Sequence, residues 1–187
     1  MRLLIYGSKT FARTAGELAR HCGHEVVGYI DDFDSSSQAL GNFEHVARTY
    51  SPADFGVVMA VGYSDLRGRW AAWNRVRAAG FRLHALVHPR AYVADTARVG
   101  DGCMVMAGSI VDVRAVLGEG VVVWPGACVN HDSVIGENTF VSPNAVVCGH
   151  ARVGAHCFIG AGAAIADRRE VPDRSFVKML TTYTGQA

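Results

Sequence analysis

The chain has 187 residues, half of them hydrophobic, which is enough for one ordinary domain or two small ones with a buried core. Its 18 Lys and Arg against 17 Asp and Glu argue against nucleic acid or an anionic membrane as a partner. The apolar runs are much shorter than the roughly 20 residues of a membrane helix, so no membrane span is expected. Five cysteines, an odd number without a CxxC pair, favour a reduced, cytoplasmic protein.

Strand and helix patterns alternate in the N-terminal part. The first apolar run ends at Gly7, too early for a signal peptide, and is typical of a first strand. Further strands are predicted over 25–32 and 55–62, and helical stripes over 11–22 and 66–76. The alternation predicts a small α/β, Rossmann-like domain over residues 1–84, with a parallel sheet and right-handed crossovers.

Ligands of parallel sheets bind at the carboxyl ends of the strands. The candidate substrate-binding residues follow three predicted strands: Gly7, Ser8, Lys9, Asp31, Asp32, Gly62 and Tyr63. Three of these positions have a structural alternative, since the two acids can serve as a strand end and helix cap, and Lys9 as a helix start. The polar stretch 31–42, "DDFDSSSQALGN", predicts a surface loop or a loop beside the site.

A six-residue repeat fills the C-terminal part. Every sixth residue from Val87 to Val171 is Val, Leu or Ile, and a small or modest residue stands four places after each until Arg169. Period six fits neither a helix nor an alternating strand and indicates a parallel β-helix whose triangular coils stack residues eighteen apart. Thirteen hexads predict about four coils over the domain 85–187, with the repeat failing near Arg169.

One polar group interrupts this ladder, in the stretch 129–136, "VNHDSVIG". A neutral His near pH 7 can accept a proton from an attacking group, so His131 is the candidate general base. Asp132 is the candidate partner that orients the ring, although neighbours in sequence can point apart. Eighteen residues further along, Gly149 is expected to stack on His131, and His150 near Asp132.

The chain resembles the sugar acyltransferases of the sialic acid O-acetyltransferase and bacillosamine-pathway N-acetyltransferase type. The resemblance rests on the βαβ start, "YIDD", the hexads and "VNHDSVIG", and covers nearly the whole chain. It implies a left-handed β-helix and a homotrimer with active sites between subunits. It also implies metal-free, direct transfer from acetyl-CoA to an amino sugar, most often nucleotide-linked. A sugar O-acetyltransferase of the same fold is the nearest alternative.

The resemblance also implies roles for individual residues. The backbone N–H of Gly149 would meet the thioester carbonyl as an oxyanion donor. The family's first loop usually reads Gly-Ala-Gly-Gly-His-Ala, whereas Gly7–Ala12 here reads Gly-Ser-Lys-Thr-Phe-Ala, and Lys9 could supply charge to a phosphate. Residue 140 is a His in several relatives and a Phe here. The residues expected at the acetyl-CoA are Phe140, His150, Ile159, Gly160, Gly162, Ala163, Ala164 and Lys178.

Two alternatives come from other functional classes. A zinc lyase resembling the γ-class carbonic anhydrases would need His131, His150 and His156 to converge on one metal, although the first two are nineteen residues apart. It would leave the N-terminal domain without a role. A non-catalytic trimeric scaffold would bind no acetyl-CoA.

Overall fold

The computed structural model describes residues 1–33 and 39–185. The centre of the predicted loop 31–42 therefore lies outside the described residues. The chain divides into two compact units, Met1–Leu86 and Val87–Ala187, and each is described by itself.

The first unit is a three-stranded parallel sheet with helices between its strands. Its sheet order is β2-β1-β3. The elements are β1 (Arg2–Tyr6), α1 (Thr10–His21), β2 (Glu25–Ile30), α2 (Phe43–Thr49), β3 (Phe55–Met59), a 3-10 turn (Tyr63–Asp65) and α3 (Leu66–Ala78). The predicted α/β unit is confirmed, but the sequence pattern missed α2. That helix has only seven residues and begins behind the N-cap Asn42, whose side chain accepts from the N–H of His45 (2.9 Å).

The apolar strands form the centre of this unit. All five residues of β3 are buried, as are the last four of β1. Helix α3 contributes Trp73 and Val76, both fully buried, while Trp70 is partly buried and stacks on Trp73. The chain leaves β1 through Gly7, which has φ +126° and where a Cβ would stand 2.7 Å from the carbonyl oxygen of Ala60. Only glycine fits there, and the strand end opens directly into the loop before α1.

The second unit is a parallel β-helix. Its two-residue strands form three parallel sheets of six, six and five strands, so the solenoid makes about five turns. The strands are β4 Leu86–Val87, β5 Tyr92–Val93, β6 Arg98–Val99, β7 Met104–Val105, β8 Ile110–Val111, β9 Val116–Leu117, β10 Val122–Val123, β11 Cys128–Val129, β12 Val134–Ile135, β13 Phe140–Val141, β14 Val146–Val147, β15 Arg152–Val153, β16 Phe158–Ile159, β17 Ala164–Ile165, β18 Glu170–Val171, β19 Phe176–Val177 and β20 Thr182–Tyr183.

The two repeat series form the core of the coil. Aliphatic residues such as Val129 and Val147 are fully buried, and so are small residues such as Ala127, Ser133 and Ala151. Residues eighteen apart pair across neighbouring strands, as Val129 does with Val147. Sequence periodicity therefore predicted the vertical neighbours of each residue.

The repeat does not fail at Arg169, and that prediction was wrong. Strands β18, β19 and β20 continue the ladder, with Val171 and Val177 still buried at 2% and 5% exposure. The side chain of Arg169 is exposed, while its backbone carbonyl accepts from the N–H of Arg152 (2.8 Å). Backbone pairing tolerates a large side chain where it can extend into water.

From Gly102 to Leu180, each corner of the coil contains a residue in the left-handed backbone region, three places after an aliphatic residue. Arg114, Asp132 and His150 have φ of 56°, 59° and 58°, and they lie eighteen residues apart. Asp, Asn and His tolerate this conformation better than most residues. These three residues therefore occupy equivalent corners of successive coils.

No helix within residues 1–33 and 39–185 is long and apolar enough to cross a membrane. Over the same ranges, none of the five cysteines is joined in a disulfide.

Candidate active site

His131 and Asp132 form the turn that follows β11. The backbone N–H of Asp132 donates to the carbonyl of Val113 on the preceding coil (3.0 Å), which fixes the turn. Nδ1 of His131 lies 3.0 Å from Oδ2 of Asp132, and the two side chains are 50% and 20% exposed. An Nδ1–H that donates to this carboxylate leaves Nε2 as the proton acceptor. The pair thus has the geometry of an oriented general base.

The carboxylate of Asp132 has a second partner on the preceding coil. Arg114 donates from Nε to Oδ1 (2.6 Å) and from Nη2 to Oδ2 (2.8 Å), a bidentate ion pair that the sequence analysis missed. Hydrogen bonds from Arg114, and then from His131, hold the pKa of Asp132 far below its usual range. The hydrogen bonds that Arg114 donates to Asp132 also raise the pKa of Arg114. Asp132 therefore stays ionised and cannot itself act as the base.

His150 lies on the next coil, as the eighteen-residue spacing predicts. Its ring meets that of His131 edge to face, with centroids 5.2 Å apart, and its Nε2 is 4.0 Å from Oδ2 of Asp132. Its backbone N–H donates to the carbonyl of His131 (3.1 Å). His150 thus borders the pair and is exposed on the same corner.

Gly149 lies against the ring of His131. A Cβ at this position would stand 2.7 Å from Cε1 and 2.8 Å from Nε2 of His131. Its φ is not in the left-handed region, so space and not backbone conformation requires glycine here. Within the part of the chain that the structure describes, its backbone N–H donates no hydrogen bond. Gly149 therefore borders the candidate base directly, and its role as an oxyanion donor stays a prediction.

The arrangement that the zinc lyase requires is not found among the described residues. His156 follows β15, which is in another sheet from β11 and β14, and its Nδ1 lies 2.8 Å from Nδ2 of Asn138. His131, Asp132 and His150 do place one potential ligand atom each within 4.8 Å of one another. The carboxylate in that group already pairs with Arg114, which lowers its value as a metal ligand.

The residues expected to contact acetyl-CoA fall into two groups, one buried and one accessible. The side chains of Phe140, Ile159 and Ala163 are fully buried, and their assignment as ligand contacts stays a prediction. Ile159 and Ala163 belong to the two inward series, and Gly160 is buried where a Cβ would stand 2.4 Å from the backbone nitrogen of Met179. The candidates that remain accessible are His150, Gly162, Ala164 and Lys178.

Lys178 lines a shallow depression on the last coil, of about 330 Å³. Phe176 lies beside it, 67% exposed, with its ring stacked on that of Phe158 at a centroid distance of 4.9 Å. The sequence analysis did not identify this surface, because it ended the repeat before β19.

A second pocket, of about 560 Å³, lies in the N-terminal unit at the carboxyl ends of its strands. Six of the seven predicted substrate-binding residues line it, whereas Tyr63 is exposed and does not. Only Gly7 in the loop after β1 has positive φ, so the residues that replace the family's other glycines are accommodated without strain. The sequence analysis missed several lining residues, notably Tyr6, Thr10, Phe11, Phe33, Val61 and Ser64.

The two acids in this pocket have different surroundings. Asp32 accepts from Tyr6, from Arg75 and from the backbone N–H of Phe43 at the start of α2 (2.9 Å). Asp31 accepts from the hydroxyl of Ser8 and from the N–H of Phe33 (2.9 Å). Asp32 therefore fastens α2 and α3 to the end of β2, while Asp31 lies on the loop side of the pocket.

Burial alone would raise the pKa of Asp32, but the bonds from Tyr6, Phe43 and Arg75 together lower it. Burial, followed by the bond to Asp32, raises the pKa of Tyr6. Asp32 is thus an ionised structural acceptor and Tyr6 its neutral donor. This matches the structural alternative considered for Asp32.

A β-helix that follows an α/β unit, with a His-Asp turn stacked on a glycine, defines a hexapeptide-repeat acyltransferase. Residues 2–73 match the PglD N-terminal domain, and residues 114–149 and 132–167 match the bacterial transferase hexapeptide (six repeats). The chain therefore combines a PglD-type N-terminal domain with hexapeptide repeats of the bacterial transferase type. It has no match among curated proteins.

Solved structures give the same result. The acetyltransferase domain of PglB from Neisseria gonorrhoeae FA1090 is 28% identical, with a TM-score of 0.89 over 97% of this chain and 90% of that one. The same domain in complex with acetyl coenzyme A is 27% identical, with a TM-score of 0.78 over 95% of each. PerB from Caulobacter crescentus, in complex with CoA and GDP-perosamine, shares the fold at 24% identity, with a TM-score of 0.75 over 95% and 94%.

Proposed function

We propose that the chain is an acetyl-CoA-dependent acetyltransferase that acylates the amino group of a nucleotide-linked amino sugar. The observation that carries the proposal is the turn of His131 and Asp132, held by Arg114 and stacked on Gly149. This arrangement offers a base, a group that orients it and a nearby N–H donor. Acyl transfer from a thioester requires those three functions.

In the proposed reaction the amine is the nucleophile. Nε2 of His131 removes a proton as the nitrogen attacks the thioester carbonyl. The oxygen of the tetrahedral intermediate accepts from the N–H of Gly149. Collapse of the intermediate breaks the C–S bond, and the imidazolium returns its proton to the departing thiolate of CoA. Transfer is direct, and Asp132 stabilises the imidazolium without taking its proton.

Acetyl-CoA as the donor is supported by the bound acetyl coenzyme A in the PglB acetyltransferase domain, which this chain resembles over nearly its whole length. Gly162, Ala164 and Lys178 are the accessible candidates for contact with the CoA arm and its phosphates. A reducing cytoplasm would suit five thiols and a thioester substrate.

The nucleotide is proposed to occupy the pocket of the N-terminal unit. PerB from Caulobacter crescentus, which shares this fold, holds both CoA and GDP-perosamine in its solved structure. In this chain, Asp31 offers a carboxylate to sugar hydroxyls, and Lys9, exposed at the N-cap of α1, offers a cation to the diphosphate.

The two neighbouring acids give a matched test of this pocket. We expect Asp31→Asn to raise KM for the nucleotide sugar roughly 10-fold, because a charge-assisted hydrogen bond is lost, with little change in melting temperature. Asp32→Asn removes the acceptor shared by Tyr6 and Arg75 and should lower Tm by roughly 5–15 °C. Steady-state kinetics and thermal unfolding measure both effects. Equal effects of the two changes on KM would refute the assignment of Asp31.

A homotrimer with active sites between subunits is also part of the proposal. An apolar column runs along the sheet that ends at the corner of His131. Its upper members, Tyr92 and Ile110, are 57% and 41% exposed, and Cys128, Val146 and Ala164 continue it. Burial of this column against a second copy would place a neighbouring coil beside His131.

Introducing charge into that column tests the trimer. We expect Ile110→Lys to convert a trimer into monomers and to abolish turnover, because a buried unpaired ammonium ion is costly. Light scattering after size exclusion and a transfer assay measure this. Arg98→Glu, an exposed change on a different sheet, is the control. A wild-type monomer with full activity would contradict the proposed assembly.

The whole proposal is tested by binding. Isothermal titration with acetyl-CoA, and a thermal-shift panel of nucleotide-linked amino sugars, should each give saturable binding. Absence of acetyl-CoA binding would contradict the proposal and favour the non-catalytic trimeric scaffold. Stoichiometric zinc in the purified protein would instead favour the lyase.

A further inference from the structure

We infer that Arg114 is a positioning residue for the proposed reaction: it shares the carboxylate of Asp132 with His131 and so sets the orientation of the base and offsets the negative charge beside it. The inference rests on the proposed role of His131. It concerns a contact between consecutive coils and adds a residue to the active centre.

The geometry of the shared carboxylate supports this role. The two nitrogens of Arg114 engage both oxygens of Asp132, at 2.6 and 2.8 Å, while Nδ1 of His131 is 3.0 Å from Oδ2. A bidentate guanidinium fixes the plane of a carboxylate, which a single bond from an imidazole does not. Because Oδ2 is common to both partners, the direction in which His131 points depends on Arg114.

The backbone holds this arginine in place. Arg114 lies at the corner equivalent to Asp132, one coil earlier, with φ 56°, and its N–H donates to the hydroxyl of Thr96 (3.1 Å). Its side chain is 63% exposed, so the ion pair contributes little to stability. The contact is thus better explained by its effect on the site than by its effect on folding.

The charges around the imidazole of His131 support the same role. An ionised carboxylate favours the protonated form of a neighbouring imidazole. Arg114 offsets that charge, because its guanidinium pairs with both carboxylate oxygens of Asp132. A base that must be neutral before the amine attacks gains from this compensation. The charged and titratable groups around His131, from its own turn and the adjoining coils, are Arg114, Asp132, His150, Asp167 and Arg168.

The charge and the geometry can be separated by two substitutions. We expect Arg114→Gln to move the acidic limb of the kcat/KM profile up by roughly half to one pH unit, because the charge of Asp132 is no longer offset. Arg114→Lys keeps the positive charge but loses the bidentate contact of the guanidinium. The acidic limb of its kcat/KM profile should therefore stay at the wild-type position, while kcat on the plateau falls several-fold. KM for acetyl-CoA should change little in either variant.

Two controls sharpen the test. Arg48→Gln breaks an exposed Arg–Glu pair on α2 and should leave the profile unchanged. In an Asp132→Asn background, Arg114→Gln should have no further effect on the limb, because the carboxylate through which it acts is absent.

A wild-type pH profile for Arg114→Gln, or an equal shift with Arg48→Gln, would overturn the inference while leaving His131 as the base. Unchanged turnover in His131→Ala would instead remove the proposed function on which the inference rests. The two failures are therefore distinguishable. Circular dichroism and Tm confirm that each variant is folded.

Discussion

Replacing His131 with alanine should lower kcat by at least ~10²-fold while acetyl-CoA still binds. The ring is the group in the centre that is held by a carboxylate at 3.0 Å with its second nitrogen free to accept a proton. Without it, the amine must lose its proton to water. The side chain is half exposed, so the variant should keep its fold and its melting temperature.

The loss of kcat in His131→Ala is best interpreted by comparison with the loss in Asp132→Asn. The asparagine keeps the shape of the carboxylate but not its charge, so the ring is less well held and the imidazolium less stabilised. We expect a loss of kcat smaller than that of His131→Ala. Titration calorimetry with acetyl-CoA separates lost chemistry from lost binding. Turnover within threefold of wild type in His131→Ala would show that another group is the base.

Replacing Gly149 with alanine should also lower kcat by roughly 10²-fold, for a steric reason. The added methyl would stand 2.7 Å from Cε1 and 2.8 Å from Nε2 of His131, so the ring must swing away from Asp132. The same methyl would crowd the thioester oxygen at the N–H of Gly149. Since φ at this position suits any residue, backbone strain does not contribute.

Stability distinguishes this effect from simple misfolding. At Gly136 a Cβ would stand 2.5 Å from the backbone nitrogen of Ala155, which cannot move without opening the coil. Gly136→Ala should therefore lower Tm markedly, whereas Gly149→Ala should keep Tm and lose turnover. Thermal unfolding and steady-state kinetics on both variants measure the contrast. A large fall in Tm for Gly149→Ala with normal turnover in the folded fraction would contradict the role of Gly149.

The β-helix could be predicted from sequence because its geometry repeats. A period of six fixes which residues face inward, and a spacing of eighteen fixes vertical neighbours such as His131 and Gly149. The sequence pattern does not predict the C-terminal extension, because a charged residue at 169 interrupts the series of small residues. Backbone pairing between coils tolerates that residue, and its side chain extends into water.

The site was only partly predictable, for physical reasons. Contact between neighbours such as His131 and Asp132 depends on the positive φ of the second residue, which a sequence does not state. Arg114 could have been found by counting eighteen residues back from Asp132. Ile159 and Ala163 belong to the inward series, so the repeat itself predicts that their side chains are buried, as the structure shows. Roles carried over from relatives should be checked against burial first.

The pocket of the N-terminal unit shows a different limit. Its position at the strand ends follows from topology, and six of the seven residues named from sequence line it. The different contacts of Asp31 and Asp32 do not follow from the topology, because those of Asp32 depend on Arg75 from α3, which is distant in sequence. Tertiary partners of this kind are invisible to local patterns.

The central claim is that this chain transfers an acetyl group from acetyl-CoA to an amino sugar. The most direct measurement incubates chelator-treated protein with acetyl-CoA and individual nucleotide-linked amino sugars, and follows free CoA thiol and acetylated product together. The account predicts equal amounts of thiol and N-acetylated sugar for at least one acceptor, and neither with His131→Ala. No acetylated product from any of the amino sugars, or product formed equally well by His131→Ala, would contradict it.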